Sequence, residues 1–150
     1  MKNEKKWHFR EDNRAKTILI REDTVCCQQV TQLMLRAEMC CDVIVASNGR
    51  EGLECLFSLD GLVDLILLDI DMPIMTGLEF LSVVKQDPVL KKIPIILQTG
   101  ERVEELQKGM KMGASGYIQK PYTSEGLYAA INKLKIKGGK CERTVNRASE

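Results

Sequence analysis

The sequence predicts an α/β protein built on one parallel sheet with helices on both faces. From residue 16 onward, short apolar runs alternate five times with segments whose apolar residues recur at helical spacing. The third run, residues 64–70, is apolar almost throughout, as is typical of strands buried on both faces. The length of 150 residues favours a single core. Strands that alternate with helices indicate right-handed β-α-β units, and therefore a parallel sheet.

Each predicted element has a local sequence signal. The five predicted strands are residues 17–20, 42–46, 64–70, 93–97 and 117–119. The predicted helices are residues 25–38, 49–59, 77–87, 101–112 and 123–137. Asn48 and Thr76 are predicted N-caps, because their side-chain oxygens can accept a hydrogen bond from the first helical turn. Pro88 and Gly113 are predicted to end two of the helices.

Helical spacing also predicts which side chains pack against the sheet. For the first three helices they are Val30, Leu33, Met34 and Ala37, then Leu53, Leu56 and Phe57, then Leu78, Leu81, Val83 and Val84. Residues 1–15 and 138–150 look like extensions outside the core.

Charge and hydropathy exclude several classes of protein. A formal net charge of +1 gives no basic surplus for nucleic acid, so we predict no direct DNA binding. The lysines near both ends are interpreted as solubilising. No apolar run approaches the roughly 18 residues of a membrane span, and residues 1–12 contain no apolar signal region. These features predict a cytoplasmic protein with no membrane association.

Cysteine spacing argues against a metal or disulfide framework. The six cysteines contain no C-x-x-C, and the only histidine, His8, lies far from them in sequence. Five are predicted to be small buried residues of the core, namely Cys26, Cys27, Cys40, Cys41 and Cys55. Cys141 lies in the polar tail and is the candidate for a reactive thiol.

Polar side chains follow four of the five predicted strands. Glu22 and Asp23 follow the first strand, and Asp69 ends the third with Asp71 two residues later. Thr99 and Gly100 follow the fourth strand, and Lys120 and Pro121 follow the fifth. In open parallel sheets, ligands bind beyond the carboxyl ends of the strands. The sequence therefore predicts that acidic groups, a hydroxyl and a lysine converge at one edge.

These motifs resemble the receiver domain of two-component response regulators. The resemblance rests on Glu22 and Asp23, on DIDMPIMTG at residues 69–77, on QTG at 98–100 and on GASGYIQKPY at 113–122. It implies a (βα)5 flavodoxin-like open parallel sheet with strand order 2-1-3-4-5 and helices on both faces. It also implies a receiver domain over residues 16–137, preceded by an N-terminal extension and followed by a C-terminal tail.

The resemblance implies a role for each acidic residue of the edge. Asp69 would be the phosphoacceptor, which receives a phosphoryl group from the phosphohistidine of a histidine kinase or phosphotransfer protein. Mg²⁺, with Mn²⁺ as the alternative, would be bound by Asp23, Asp69, the backbone carbonyl of Asp71 and, directly or through water, Glu22. The resemblance implies a signalling domain rather than an enzyme, limited to its own phosphorylation and dephosphorylation.

The remaining site residues would read out phosphorylation. Lys120 would pair with a phosphoryl oxygen, and Thr99 would donate its hydroxyl to another. Tyr117, expected to be half-buried, would turn inward with Thr99 as the switch. The surface of helix 4, strand 5 and helix 5 would then bind a downstream protein or a second copy of the chain. Pro121 resembles a cis-proline of the family.

Arg21, Asp71 and Glu101 depart from the pattern or remain unassigned. Arg21 stands where the family usually has an apolar residue. Strand alternation points its side chain away from Glu22, so it is expected to snorkel to the sheet edge or to pair with an acid. The carboxylates of Asp71 and Glu101 would flank the phosphoryl group and affect its lifetime.

Two other functions compete with the receiver interpretation. D-x-D after an apolar strand also opens the haloacid-dehalogenase phosphatases, but a later acidic pair is missing and the acids come early, at Glu22 and Asp23. A pseudo-receiver that is never phosphorylated is the other alternative. The roughly 13 residues after residue 137 are too few for an output domain, so we expect a stand-alone receiver or one excised from a longer protein such as a hybrid kinase.

Overall fold

The predicted parallel sheet and its strand order are confirmed. The computed structural model describes residues 16–22, 24–38, 41–70, 75–100 and 103–134. Within these residues the strands pair in parallel in the order β2-β1-β3-β4-β5. They are β1 (Lys16–Arg21), β2 (Cys41–Ala46), β3 (Leu65–Asp69), β4 (Ile95–Thr99) and β5 (Gly116–Gln119). The helices are α1 (Val25–Glu38), α2 (Gly49–Ser58), α3 (Gly77–Gln86), α4 (Val103–Lys111) and α5 (Ser124–Asn132).

Element boundaries differ from the predicted ones mainly around β4 and α5. A short 3-10 helix at Leu90–Lys92 precedes β4, which begins at Ile95 rather than at Ile93. Pro94 has no N–H to donate to a strand ladder, which explains the later start. Helix α5 ends at Asn132, earlier than predicted. The N-terminal extension and the C-terminal tail lie outside the described residues, so the division into domains stays a prediction.

Helix ends follow the local chemistry of the sequence. The Asn48 side chain accepts a hydrogen bond from the Glu51 backbone N–H at 2.9 Å. Thr76 and Glu79 form a reciprocal capping box at the start of α3. Gly113 has a φ of +114°, a conformation that side chains with a Cβ rarely adopt, and it follows α4 as predicted.

Two apolar layers enclose the sheet, because alternate strand residues point to opposite faces. One layer packs β-strand residues such as Leu19 and Ile66 against α2, α3 and α4. The other packs Ile20 and Leu67 against α1 and α5. All five residues of β3 and of β4 are buried. The central strands are therefore held from both sides, and the residues at their carboxyl ends are held with them.

The predicted inward faces of the helices were partly wrong. Val30 and Leu33 are 50% and 71% exposed, whereas Thr31 and Leu35 are buried at 4% and 0%. Phe57 and Val83 are also exposed, while Leu56, Leu81 and Val84 are buried as predicted. In α1, apolar residues lie along two adjacent stripes, and spacing alone cannot tell which one meets the sheet.

The predicted burial of the cysteines was wrong for Cys26, which is exposed. Cys27, Cys41 and Cys55 are only partly buried. Cys40, Cys141 and His8 lie outside the described residues. Among the described helices, none combines the length and the apolar character that a membrane span requires.

The burial of β3 leads to a first prediction. Leu67 is 0% exposed in the centre of the sheet. Leu67→Ala should lower the free energy of unfolding by about 2–5 kcal/mol, because it removes packed methyl groups and leaves a cavity. Leu33→Ala, at a position 71% exposed, is the matched control and should change it by less than about 0.5 kcal/mol. Urea unfolding measures both, and equal losses would contradict the described packing.

Candidate functional site

Three predicted site residues come together at the carboxyl edge of the sheet. Lys120, directly after β5, places its ammonium 2.7 Å from a carboxylate oxygen of Glu22 and 2.8 Å from one of Asp69. Glu22 follows β1 and is 2% exposed, and Asp69 ends β3 and is 4% exposed. Glu22 and Asp69 therefore share one cation, although they lie 98 and 51 residues from Lys120 in the sequence. The edge is therefore a compact, charged site whose two carboxylates are buried.

Backbone hydrogen bonds that extend each ladder hold these residues in place. The N–H of Glu22 donates to the carbonyl of Ala46 at 3.0 Å, and that of Lys120 donates to the carbonyl of Thr99 at 2.8 Å. Ile70, next to Asp69, donates to Gln98 at 3.0 Å. The Lys120–Pro121 peptide bond is cis, as the family resemblance suggested. Each functional side chain therefore starts from a backbone position tied to its neighbouring strand.

Burial and pairing have opposite effects on the charges of this site. Burial raises the pKa of Glu22, the Lys120 hydrogen bond lowers it, the nearby Asp69 carboxylate raises it, and the net direction is upward. Burial by itself lowers the pKa of Lys120, but hydrogen bonds to Asp69 and Glu22 outweigh it, and the net direction is again upward. The ammonium therefore stays charged, and it compensates two buried carboxylates.

Thr99 and Gly100 lie beside this cluster at the end of β4. Thr99 is 0% exposed. A Cβ built on Gly100 would meet no atom within 4 Å, so open space adjoins the site there. Tyr117 lies on β5 in register with Leu97, and it is 57% exposed rather than half-buried.

The predicted site for a divalent cation is only partly covered by the described residues. Of the predicted metal ligands, the described residues contain Glu22 and Asp69, and their carboxylates already share one positive group, the Lys120 ammonium. Carboxylate oxygens are the ligands that Mg²⁺ prefers. Asp23 and Asp71, the other two predicted ligands, and Glu101 lie outside the described residues. Within the described ranges alone, no three acidic, histidine or cysteine side chains form a metal cluster.

Sequence reasoning missed a hydrogen-bonded link behind the site. The Tyr122 hydroxyl donates to the Gln98 side-chain oxygen at 2.9 Å, and it lies 2.9 Å from the Thr31 hydroxyl. This chain connects α1 to β4 and to the segment after β5. Beside it lies a cavity of about 480 Å³, lined by residues that include Val30 and Lys120. The sequence held no clear signal for this link, because Thr31 is one of several polar residues in α1.

Of the two alternatives for Arg21, snorkelling to the sheet edge is wrong, and pairing with an acid stays a prediction. Its side chain is 0% exposed. One guanidinium nitrogen donates to the backbone carbonyl of Asp69 at 3.1 Å, and another donates to the carbonyl of Met75. The guanidinium also lies 5.3 Å from the centre of the Phe80 ring. Arg21 therefore contacts the site from beneath, on the face opposite to Glu22.

Comparisons with known proteins agree with this geometry. The family model for the response regulator receiver domain matches residues 18–132. The chain is 30% identical over 118 residues to the chemotaxis protein CheY of Pseudomonas aeruginosa, covering 78% of this chain and 94% of that protein. It is 32% identical over 120 residues to the probable transcriptional regulator ycf29 of Pyropia yezoensis. That alignment covers 79% of this chain and 52% of the relative.

A solved structure gives the same result. The chemotaxis protein CheY4 of Vibrio cholerae superposes with a TM-score of 0.72 at 30% identity, covering 81% of this chain and 99% of that one. The chain spans about half the length of the Pyropia relative, 52%, and nearly the whole of the Pseudomonas one, 94%. The family match, the strand order and the carboxylates at the sheet edge lead to one conclusion: this chain belongs to the response regulator receiver domain family, the receivers of two-component signalling.

Proposed function

We propose that this chain stores a signal as a phosphoryl group on Asp69. The observation that carries the proposal is the Lys120 ammonium held 2.8 Å from Asp69 and 2.7 Å from Glu22 at the sheet edge. Phosphoryl transfer depends mostly on positioning and on neutralising charge. A rigid carboxylate at the end of a buried strand, with a permanent cation beside it, supplies both. The carboxylate is the nucleophile, and the buried strand fixes its position.

The donor is a phosphohistidine of a histidine kinase or phosphotransfer protein. A carboxylate oxygen of Asp69 forms a bond to phosphorus while the phosphorus–nitrogen bond breaks, and the bonding electrons leave with the imidazole. Lys120 turns from the two carboxylates to a phosphoryl oxygen, which is the group that carries the new negative charge. The product is an acyl phosphate on a side chain that was 4% exposed.

Bound Mg²⁺, with Mn²⁺ as the alternative, supplies the positive charge that the carboxylates and the phosphoryl oxygens share. Asp23, Asp69, the backbone carbonyl of Asp71 and, directly or through water, Glu22 would hold it. Glu22 supports this assignment. Burial raises the pKa of its carboxylate, and a second nearby cation would stabilise the charged form.

Readout would pass along β4 and β5. The backbone of Thr99 accepts the Lys120 N–H at 2.8 Å, so the ends of these strands are coupled. The Thr99 hydroxyl would move to the phosphoryl group, and Tyr117, now 57% exposed, would turn inward. The face of α4, β5 and α5 would then bind a downstream protein or a second copy. Receiver domains act with histidine kinases and downstream effectors, and this face is the proposed contact.

The phosphoacceptor is tested by two aspartates at opposite ends of β3. Incubation with acetyl phosphate and Mg²⁺ should add one phosphoryl group to the wild type, as measured by intact-protein mass spectrometry. Asp69→Asn should add none, because an amide is not a nucleophile here. Asp64→Asn is the matched control and should react normally, since Asp64 lies before the first residue of β3, where it accepts the Thr17 N–H at 2.8 Å. An adduct that persists in Asp69→Asn, or none on wild type, would overturn the proposal.

The charge of Lys120 predicts a pH dependence. Its pKa is raised above the ordinary 10.5 in the folded state. The stabilisation that it contributes is therefore complete below pH 10.5 and is lost as pH rises through the folded value. Urea unfolding of the metal-free protein, measured at pH values below and above 10.5, should show that the free energy of unfolding falls as pH rises. The fall should be shallower in Lys120→Met than in the protein that keeps Lys120. Burial also raises the pKa of Tyr122, so both proteins carry Tyr122→Phe. Identical slopes of stability against pH in the two proteins would contradict the pairing of Lys120 with Glu22 and Asp69.

A further inference from the structure

A chain of hydrogen bonds lies beside the carboxylate cluster, and one of its members, Gln98, is an amide in an apolar layer. Gln98 is 1% exposed, and Ile96, two residues earlier on the same face of β4, is apolar. The side-chain oxygen of Gln98 accepts a hydrogen bond from the Tyr122 hydroxyl, but no described residue pairs with its amide nitrogen. A buried amide that is only half paired destabilises the fold. Packing alone therefore does not explain Gln98.

Tyr122 brings the polar groups of this chain together. Its hydroxyl donates to the Gln98 oxygen at 2.9 Å and lies 2.9 Å from the Thr31 hydroxyl. Because a hydroxyl has only one proton, the Thr31 hydroxyl is the donor in the second contact. Burial raises the pKa of Tyr122, so its hydroxyl keeps its proton at neutral pH and remains a donor. One side chain therefore fixes the segment after β5 to β4 and to α1.

Lys120 lies in the segment that this hydroxyl holds. The Lys120 N–H donates to the Thr99 carbonyl at 2.8 Å, which fixes the backbone on one side. Tyr122, two residues later, fixes the other side through the Gln98 side chain. The backbone that carries the ammonium is thus tied to two consecutive residues of β4. The ammonium can therefore change its partner by turning the Lys120 side chain alone.

We infer that Tyr122 is a positioning residue for phosphoryl transfer, which holds the backbone of Lys120 while its ammonium turns from the carboxylates to the phosphoryl oxygen. The inference rests on the proposed function, because that function supplies the phosphoryl oxygen. Tyr122 acts through Lys120, and Gln98 and Thr31 hold its hydroxyl in place. Loss of the hydroxyl leaves the resting ion pairs of Lys120, because the two carboxylates and the ladder bond remain. Transfer is more sensitive, since a displacement of about 1 Å can lower a rate ~100-fold.

Two tyrosines in the layer of α1 and α5 allow a matched test. Tyr122→Phe removes the hydroxyl that donates to Gln98, whereas Tyr128→Phe removes a hydroxyl that donates to the Met34 carbonyl. With acetyl phosphate and Mg²⁺, Tyr122→Phe should be phosphorylated about tenfold more slowly than the wild type, because a buried acceptor loses its donor. Tyr128→Phe should react at the wild-type rate. Intact-protein mass spectrometry measures all three, and a wild-type rate in Tyr122→Phe would overturn the inference.

A second comparison determines whether Tyr122 acts through Lys120. In the Lys120→Met background, Tyr122→Phe should leave the remaining rate unchanged, because the group that it positions is absent. A tyrosine that only stabilised the fold would slow phosphorylation by the same factor in both backgrounds. Equal factors would therefore overturn the inference.

Hydrogen exchange gives a readout that needs no phosphoryl group. The Lys120 amide should exchange faster in Tyr122→Phe, since one of its two ties is gone, and at the wild-type rate in Tyr128→Phe. The Glu22 amide, which donates to the Ala46 carbonyl at 3.0 Å, is the internal reference for loss of global stability. Thr31→Val removes the donor to Tyr122 and should act in the same direction. Unchanged exchange of the Lys120 amide in both variants would overturn the inference, whatever rate Lys120→Met retains.

Failure of the two proposals looks different. A wild type that forms no aspartyl phosphate would remove the proposed function, and with it the role of Tyr122 in transfer. A wild type that forms it, with a Tyr122→Phe protein that matches it in rate and in exchange, would remove only the role of Tyr122.

Discussion

The site depends on one electrostatic arrangement, in which Lys120 compensates the buried carboxylates of Glu22 and Asp69. These three residues come from the ends of three parallel strands, so they meet only when the whole sheet is assembled. Without the ammonium, two carboxylates at 2% and 4% exposure would face each other in a region with little water. The fold and the chemistry are thus coupled, because the same strand register that packs the core places the charges.

A second cation lies on the other side of β1. Arg21 and Glu22 are adjacent in sequence, but strand alternation sends their side chains in opposite directions. Lys120 stabilises the carboxylates directly, whereas Arg21 binds the backbone from which Asp69 projects. The two cations therefore act on different parts of the same residue. Lys120 pairs with its carboxylate, and Arg21 donates to its backbone carbonyl.

Helix α1 shows how the site extends beyond the strand ends. Its buried residue Thr31 approaches Tyr122, which in turn donates to Gln98 next to Thr99. Its exposed residue Val30 lines the cavity beside Lys120. Thr31 therefore places a hydroxyl in the buried stripe of α1, and through Tyr122 this hydroxyl connects the helix to the carboxyl edge of the sheet.

The sequence by itself determined the α/β class, the helix caps at Asn48 and Thr76, and the set of residues at the strand ends. Strand alternation and capping are local, so the chain carries them in short patterns. Only the tertiary structure decided which stripe of α1 is buried, that Lys120 bridges Glu22 and Asp69, and that Arg21 lies inside. These depend on contacts between distant segments. Spacing predicted Val30 and Leu33 inward because either stripe satisfies a helical period. Strand alternation predicted that Arg21 points away from Glu22, but the two backbone carbonyls to which it donates cannot be read from a sequence.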